Sequence, residues 1–137
     1  MYMLDTNICI YVLKKRPTSV LEKFDKVRKD QIYISIITYA ELKFGVEKSL
    51  SKKMNQEILE EFTARLQIRL WDEEAANHYA NIRYHLERQG RSIGNMDLMI
   101  ASHARSCGYK LVTNNLREFN RVPALKLENW IFDSRKT

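Results

Sequence analysis

The chain has only two cysteines, two prolines and four glycines, so it is poor in the residues that staple, kink or punctuate a fold. Cys9 and Cys107 lie outside any CxxC or Cys/His ligand spacing, which excludes a disulfide framework and a zinc ribbon. Each sits in an apolar helical context and reads as a reduced, buried thiol. His78, His85 and His103 show no HExxH spacing, which argues against a zinc protease site. With so few breakers, the chain is expected to be mostly regular structure with short connections. No apolar run approaches the roughly 20 residues that span a bilayer, so no membrane helix is expected. The opening Met1-Tyr2-Met3-Leu4-Asp5 has neither a basic stretch nor a long apolar one. It does not read as a secretory signal, and a cytoplasmic location is expected. There is no repeat, low-complexity stretch or linker, and residues 1–137 are expected to form one domain.

What is present suits one compact domain. Hydrophobic residues make up 45% of 137, enough for a core without staples. Charged residues make up 29%, with 23 Lys and Arg against 17 Asp and Glu, a net charge of +6. A basic excess favours polyanions, although many proteins of this charge bind none. The exposed-type clusters are Lys14-Lys15-Arg16, Lys52-Lys53, and Arg83 with Arg88 and Arg91. Each alone reads as a solvated face. Together they suit an RNA backbone, with Lys14, Lys15 and Arg16 as the candidate contacts. Trp71 and Trp130 flank strands and read as packing residues.

Periodicity and capping signals predict alternating strands and helices. Strands are expected at 1–5, 31–35, 68–71 and 110–113, with an edge strand at 125–127. Helices are expected at 6–15, 17–29, 37–47, 51–65, 72–89 and 95–106, with a helical turn at 116–119. Asp72 is expected to cap its helix, and Gly90 and Gly108 to end theirs. This order predicts a three-layer α/β/α sandwich around a central, mainly parallel sheet of four or five strands. In such sheets ligands bind outside the carboxyl ends of the strands.

Four acids fall at that edge. Asp5 closes the first strand, where it caps the next helix or binds a ligand; both readings fit the residues alone. Glu41 lies four residues after Ile37 and three before Phe44. That spacing places its carboxylate on an Ile37–Ala40–Phe44 apolar stripe, a costly position unless it is paired or bound to metal. Asp97 shares a helix face with Ile100, Ala101 and Ala104, and also suits the helix dipole. Asn115 and Glu118 stand three apart after the last core strand and face the same way. Clustered carboxylates raise one another's pKa, and a hard divalent cation with oxygen ligands relieves them. The chemistry such a site carries is phosphodiester hydrolysis.

These residues also carry a resemblance. Met3-Leu4-Asp5-Thr6-Asn7, Ser35 followed by Tyr39-Ala40-Glu41-Leu42 and Phe44-Gly45, Asp97-Leu98-Met99-Ile100-Ala101-Ser102-His103-Ala104, and Leu111-Val112-Thr113-Asn114-Asn115 with Glu118-Phe119 occur in the order and spacing of a PIN domain. More narrowly, the chain resembles the VapC toxins of bacterial type II toxin–antitoxin pairs over essentially its whole length. The resemblance implies a Mg²⁺- or Mn²⁺-dependent endoribonuclease with Asp5, Glu41 and Asp97 as catalytic metal ligands. The family often has an Asp after the Thr of the fourth strand. This chain has Asn115 there, which makes Glu118 the substitute ligand. Thr6, Asn7, Thr113 and Asn115 match polar positions that orient the acids or a metal-bound water. The resemblance further implies a homodimer, a VapB-type antitoxin that blocks the acidic pocket, and contact with operator DNA only through the antitoxin. The Gly94-Asn95-Met96-Asp97 and Thr113–Phe119 forms resemble the enteric subgroup, which cuts initiator tRNA in the anticodon stem-loop. Two rivals remain. A receiver or nucleotide-binding domain needs a Gly-rich turn or acidic pair after the first strand, and Asp5-Thr6-Asn7-Ile8 offers neither. A catalytically silent PIN fold is favoured by the missing Asp.

Overall fold

In the computed structural model, which describes residues 1–131, strands and helices alternate as the sequence predicts. The last six residues of the expected domain lie outside the described residues. The strands are β1 (Tyr2–Leu4), β2 (Ile32–Ser35), β3 (Gln67–Arg69), β4 (Lys110–Val112) and β5 (Leu127–Glu128). The helices are α1 (Thr6–Lys14), α2 (Thr18–Lys26), α3 (Ile36–Glu47), α4 (Lys52–Thr63), α5 (Glu73–Arg88), α6 (Asn95–Cys107) and α7 (Leu116–Phe119). The sheet runs β3-β2-β1-β4-β5 with every pairing parallel.

Strand alternation sorts the core into two layers. Leu4, Ile32, Ile34 and Val112 face one cluster with Ile8, Val12, Val20, Phe24, Leu42, Leu59 and Phe62 from the first four helices. Met3 and Leu111 face the other, with Ile82 and Leu86 of α5, Ile100 and Ala104 of α6, and Phe119. This is the three-layer sandwich read from the sequence.

Several local expectations are corrected. The second helix stops at Lys26 and a 3₁₀ turn, Lys29–Gln31, precedes β2. Val27 and Arg28 are extended, and the Lys29 ammonium bonds the Phe24 and Val27 carbonyls that the helix end leaves open. On α4 helical spacing groups Ile58, Phe62 and Leu66, yet the buried residues are Leu59 and Phe62, followed by Leu66, while Ile58 is exposed. The third strand ends at Arg69, before the exposed Leu70. Of the two thiols, Cys9 is buried but Cys107 is only half-buried. The capping signals act as expected. The Asp72 carboxylate accepts the Ala75 N–H at 3.0 Å, and Gly90 takes φ +64° just beyond α5.

Parallel register aligns the strand ends. Ser35 pairs with Arg69 and Leu4 with Val112, so one step further along the sheet Asp5 and Thr113 leave β1 and β4 side by side. The Asp5 N–H bonds the Val112 carbonyl at 3.0 Å. The carboxyl edge therefore carries Ser35, Asp5 and Thr113, all buried polar residues.

Candidate active site

Asp5 occupies two roles at once. Its Oδ1 accepts the Ile8 N–H at 2.8 Å, capping α1, which is the bland reading of this residue. Its carboxyl is nonetheless pushed above the usual range, first by burial and also by the nearby Glu41 charge. Hydrogen bonds from the Thr113 side chain and the Ile8 backbone oppose the shift.

Glu41 is held from α1. The Thr6 hydroxyl donates to Glu41 Oε1 at 2.7 Å and lies 3.4 Å from the hydroxyl of the buried Thr38. The apolar-stripe reasoning for Glu41 is corrected here: Ala40 and Phe44 are exposed, Phe44 by 65%. The buried side of α3 is Thr38 and Leu42, and Glu41 stands at its margin, turned toward the start of α1.

Asp97 lies in the first turn of α6, half-buried. Its carboxyl is pushed up to about 6, first by burial and then by the charges of Glu118, Asp5 and Glu41. A hydrogen bond with the Glu118 side chain adds a last, smaller part of the rise. A Cβ on Gly94 would stand 3.9 Å from Asp97 Oδ2, so the carboxylate turns back over the cap of its own helix. Glu118 is itself steadied, since Asn115 Nδ2 donates to its Oε2 at 2.6 Å. The Asn115 N–H in turn bonds Thr113 Oγ1 at 2.9 Å.

The four acids thus come from four separate segments, and Asp5 and Asp97 feel the charges of their neighbours. Thr6, Thr113 and Asn115 each touch this set or its support. Asn7 is exposed and makes no hydrogen bond to the acids among the described residues. Lys14, Lys15 and Arg16 are exposed at the other end of α1, about 13 Å along the helix from its start. Lys14 does line a groove of about 290 Å³ that Glu41 also lines, with Ile10, Leu42, Val46 and Leu59. Sequence reasoning missed Thr38 and the buried pair Ser35 and His103. Ser35 Oγ accepts the Ile37 N–H at 3.1 Å and meets His103 Nδ1 at 2.7 Å, tying the cap of α3 to α6. The i, i+3 spacing of Thr38 and Glu41 was the available signal for the first.

Among the described residues, none of the four acids forms an ion pair. No three Asp, Glu, His or Cys side chains there converge on one ion-sized point. All-oxygen donors, mutual repulsion and absent counter-charge fit a hard divalent cation. Asp5, Glu41, Asp97 and Glu118 are the residues that would hold it.

An all-parallel sheet of this order, wrapped by helices and bearing a buried and three half-buried acids at its carboxyl edge, is the arrangement of a PIN domain, and the PIN domain family model matches residues 2–125. The chain is 48% identical over 130 residues to Ribonuclease VapC2 of Haemophilus influenzae, covering 95% of this chain and 98% of that protein. It is 46% identical over 129 residues to the tRNA(fMet)-specific endonuclease VapC of Shigella flexneri, covering 94% and 97%. The toxin–antitoxin complex VapBC2 of Rickettsia felis, bound to a DNA fragment from its promoter, superposes with a TM-score of 0.89 at 45% identity, covering 95% and 98%. The chain belongs to the VapC branch of the PIN-domain family.

Proposed function

We propose that this chain is a divalent-metal-dependent endoribonuclease toxin that cuts RNA at the cluster of Asp5, Glu41, Asp97 and Glu118. One observation carries the assignment of the site. Asp5, Glu41 and Glu118, from distant parts of the sequence, all lie near enough to Asp97 that their charges add to burial in pushing its carboxyl up to about 6, and none of the four forms an ion pair among the described residues. A bound Mg²⁺, or Mn²⁺, supplies Lewis-acid polarisation of the phosphoryl oxygen and a nucleophilic water at neutral pH.

The chain's own residues do the rest. Asp5 is fixed by hydrogen bonds from the Ile8 N–H and the Thr113 side chain, which set the direction of its carboxyl. The Thr6 hydroxyl orients Glu41, and the Asn115 amide orients Glu118. Asp97, with its carboxyl pushed up to about 6, first by burial and then by the charges of Glu118, Asp5 and Glu41, is the acid whose charge a bound cation would relieve. Burial of the Asp5, Ser35 and Thr113 row excludes water behind the acids.

The relatives supply the substrate and partner readings. A tRNA(fMet)-specific relative at 46% identity supports initiator tRNA as the substrate, and the proposed place of the cut is the anticodon stem-loop. The DNA-bound VapBC complexes support a VapB-type antitoxin and a toxin–antitoxin complex on promoter DNA; the proposal adds a homodimeric toxin that meets operator DNA only through the antitoxin. The apolar groove between α1, α3 and α4 opens beside Glu41, which suits an amphipathic antitoxin segment lying across the site. No helix among the described residues is long and apolar enough to cross a membrane, and we place the toxin in the cytoplasm.

The test is end-mapping of RNAs cut on induction, together with cleavage of initiator tRNA in vitro over a Mg²⁺ titration. Wild type is expected to cleave only with the metal, and Asp5→Asn not to cleave. Equal cleavage by both, or none of any RNA by wild type, leaves a silent PIN fold instead.

A further inference from the structure

The acids make the cleft negative, yet the proposed substrate is a polyanion. Cationic groups next to the cleft must therefore hold its backbone. The exposed Lys14-Lys15-Arg16 cluster stands at the far end of α1. A second cationic surface stands beside Asp97. Helices α5 and α6 pack antiparallel, with Arg105 of α6 bonding His78 and Asn81 near the start of α5 and Leu86 lying by Leu98 at the other end. This brings the last turns of α5 and the segment 89–94 to the end of α6 that bears Asp97.

Arg83 is held in place on that surface. Its Nε donates to Glu87 at 2.8 Å and its Nη1 to the Tyr79 hydroxyl at 3.0 Å. Tyr79 in turn donates to Asn95 Oδ1 at 2.7 Å, two residues before Asp97. The remaining guanidinium donors have no protein partner among the described residues. Beyond α5, Gly90 turns the chain and the Arg91 N–H returns to the Leu86 carbonyl at 2.9 Å, seating Arg91 over the last turn. Arg121 Nη1 bonds the Ser92 carbonyl at 3.2 Å, pinning this segment three residues beyond Glu118. Next to Arg83, Tyr84 is 64% exposed with Arg88 5.7 Å from its ring centre.

Guanidinium groups next to an open aromatic face are the chemistry of an unpaired RNA loop: phosphates pair with Arg and a splayed base stacks on the ring. We infer that the surface of Arg83, Tyr84, Arg88 and Arg91, continued by Arg121, is a substrate-binding subsite that holds the single-stranded RNA flanking the cut phosphodiester bond. This rests on the ribonuclease reading above.

The test compares Arg83→Gln/Arg88→Gln/Arg91→Gln with a control that removes the same charge elsewhere, Lys23→Gln/Lys26→Gln/Lys126→Gln. Binding of an RNA stem-loop is followed by fluorescence anisotropy in EDTA from low to moderate salt, cleavage is followed in Mg²⁺, and melting curves establish that both proteins fold. The arginine variant is expected to bind at least tenfold more weakly, with the slope of log K against log salt reduced by about 2 for three lost phosphate contacts. Its KM should rise while kcat at saturating RNA holds. Separately, Tyr84→Ala should weaken binding without changing the salt slope. Binding and slope equal to wild type, or an equal loss in the control, overturns the subsite while leaving a cleaving wild type as a ribonuclease. A wild type that neither binds nor cuts RNA overturns both.

Discussion

Replacing Asp97 by Asn removes a carboxylate that the fold holds at a cost. Its carboxyl rises from 3.8 to about 6, so the folded chain binds a proton there that the unfolded chain has released. The sign follows from linkage: stability is greatest below pH 3.8 as far as this group is concerned, and is lost as pH rises through 4 to 6. A shift of that size is worth roughly 3 kcal/mol for a group fully shielded from water, at 1.36 kcal/mol per unit. Asp97 is half-buried, and solvent screening reduces this to about 1.5 kcal/mol. Asn also gives up the favourable charge in the first turn of α6, about 0.5 kcal/mol, which leaves a net gain of about 1 kcal/mol at pH 8. For a chain of this size that gain raises Tm by roughly 4 °C. The assay is thermal unfolding of both proteins in EDTA from pH 4.5 to 8, then at pH 8 with Mg²⁺. In EDTA the variant should melt higher at pH 8, with the difference shrinking toward pH 4.5. Saturating Mg²⁺ should reverse the order, since a ligand at 100 times its Kd adds about 2.7 kcal/mol to whichever protein binds it. A variant that melts at or below wild type at pH 8 without metal refutes the reasoning.

Other outcomes follow from the same geometry. Thr6→Val removes the 2.7 Å bond to Glu41, and single-turnover cleavage should slow by roughly 10-fold to 100-fold with the fold intact. Glu118→Gln should reduce cleavage more than Asn115→Ala, because the amide acts through the carboxylate it steadies; the reverse ranking in a rate assay reassigns the pair. Ser35→Ala removes the α3 cap and the partner of a buried His103 nitrogen, and urea unfolding should show a loss of about 2 kcal/mol. Charge reversal at Lys14 and Lys15 should weaken RNA binding, and unchanged affinity at low salt removes them from the substrate path.

Much of this was legible in the residues because the signals are local. Strand ends, caps and periodicity placed the elements within a few residues, and the carboxyl-edge rule pointed to Asp5. The errors have physical causes. Glu41 was identified through an apolar stripe that the fold leaves exposed; what holds it is Thr6, 35 residues away, a contact no local pattern encodes. Ser35 and His103 meet across 68 residues and read separately as an ordinary serine and a stray histidine. The second helix ran too long because its stop uses extended Val27 and Arg28 and a lysine reaching back, not a glycine or proline.

Binding of Mn²⁺ followed by electron paramagnetic resonance, in wild type and in Asp5→Asn, Glu41→Gln, Asp97→Asn and Glu118→Gln, tests the shared-ion claim most directly. Each substitution is expected to weaken Mn²⁺ binding at least tenfold relative to wild type. Wild-type affinity retained in all four variants would contradict it.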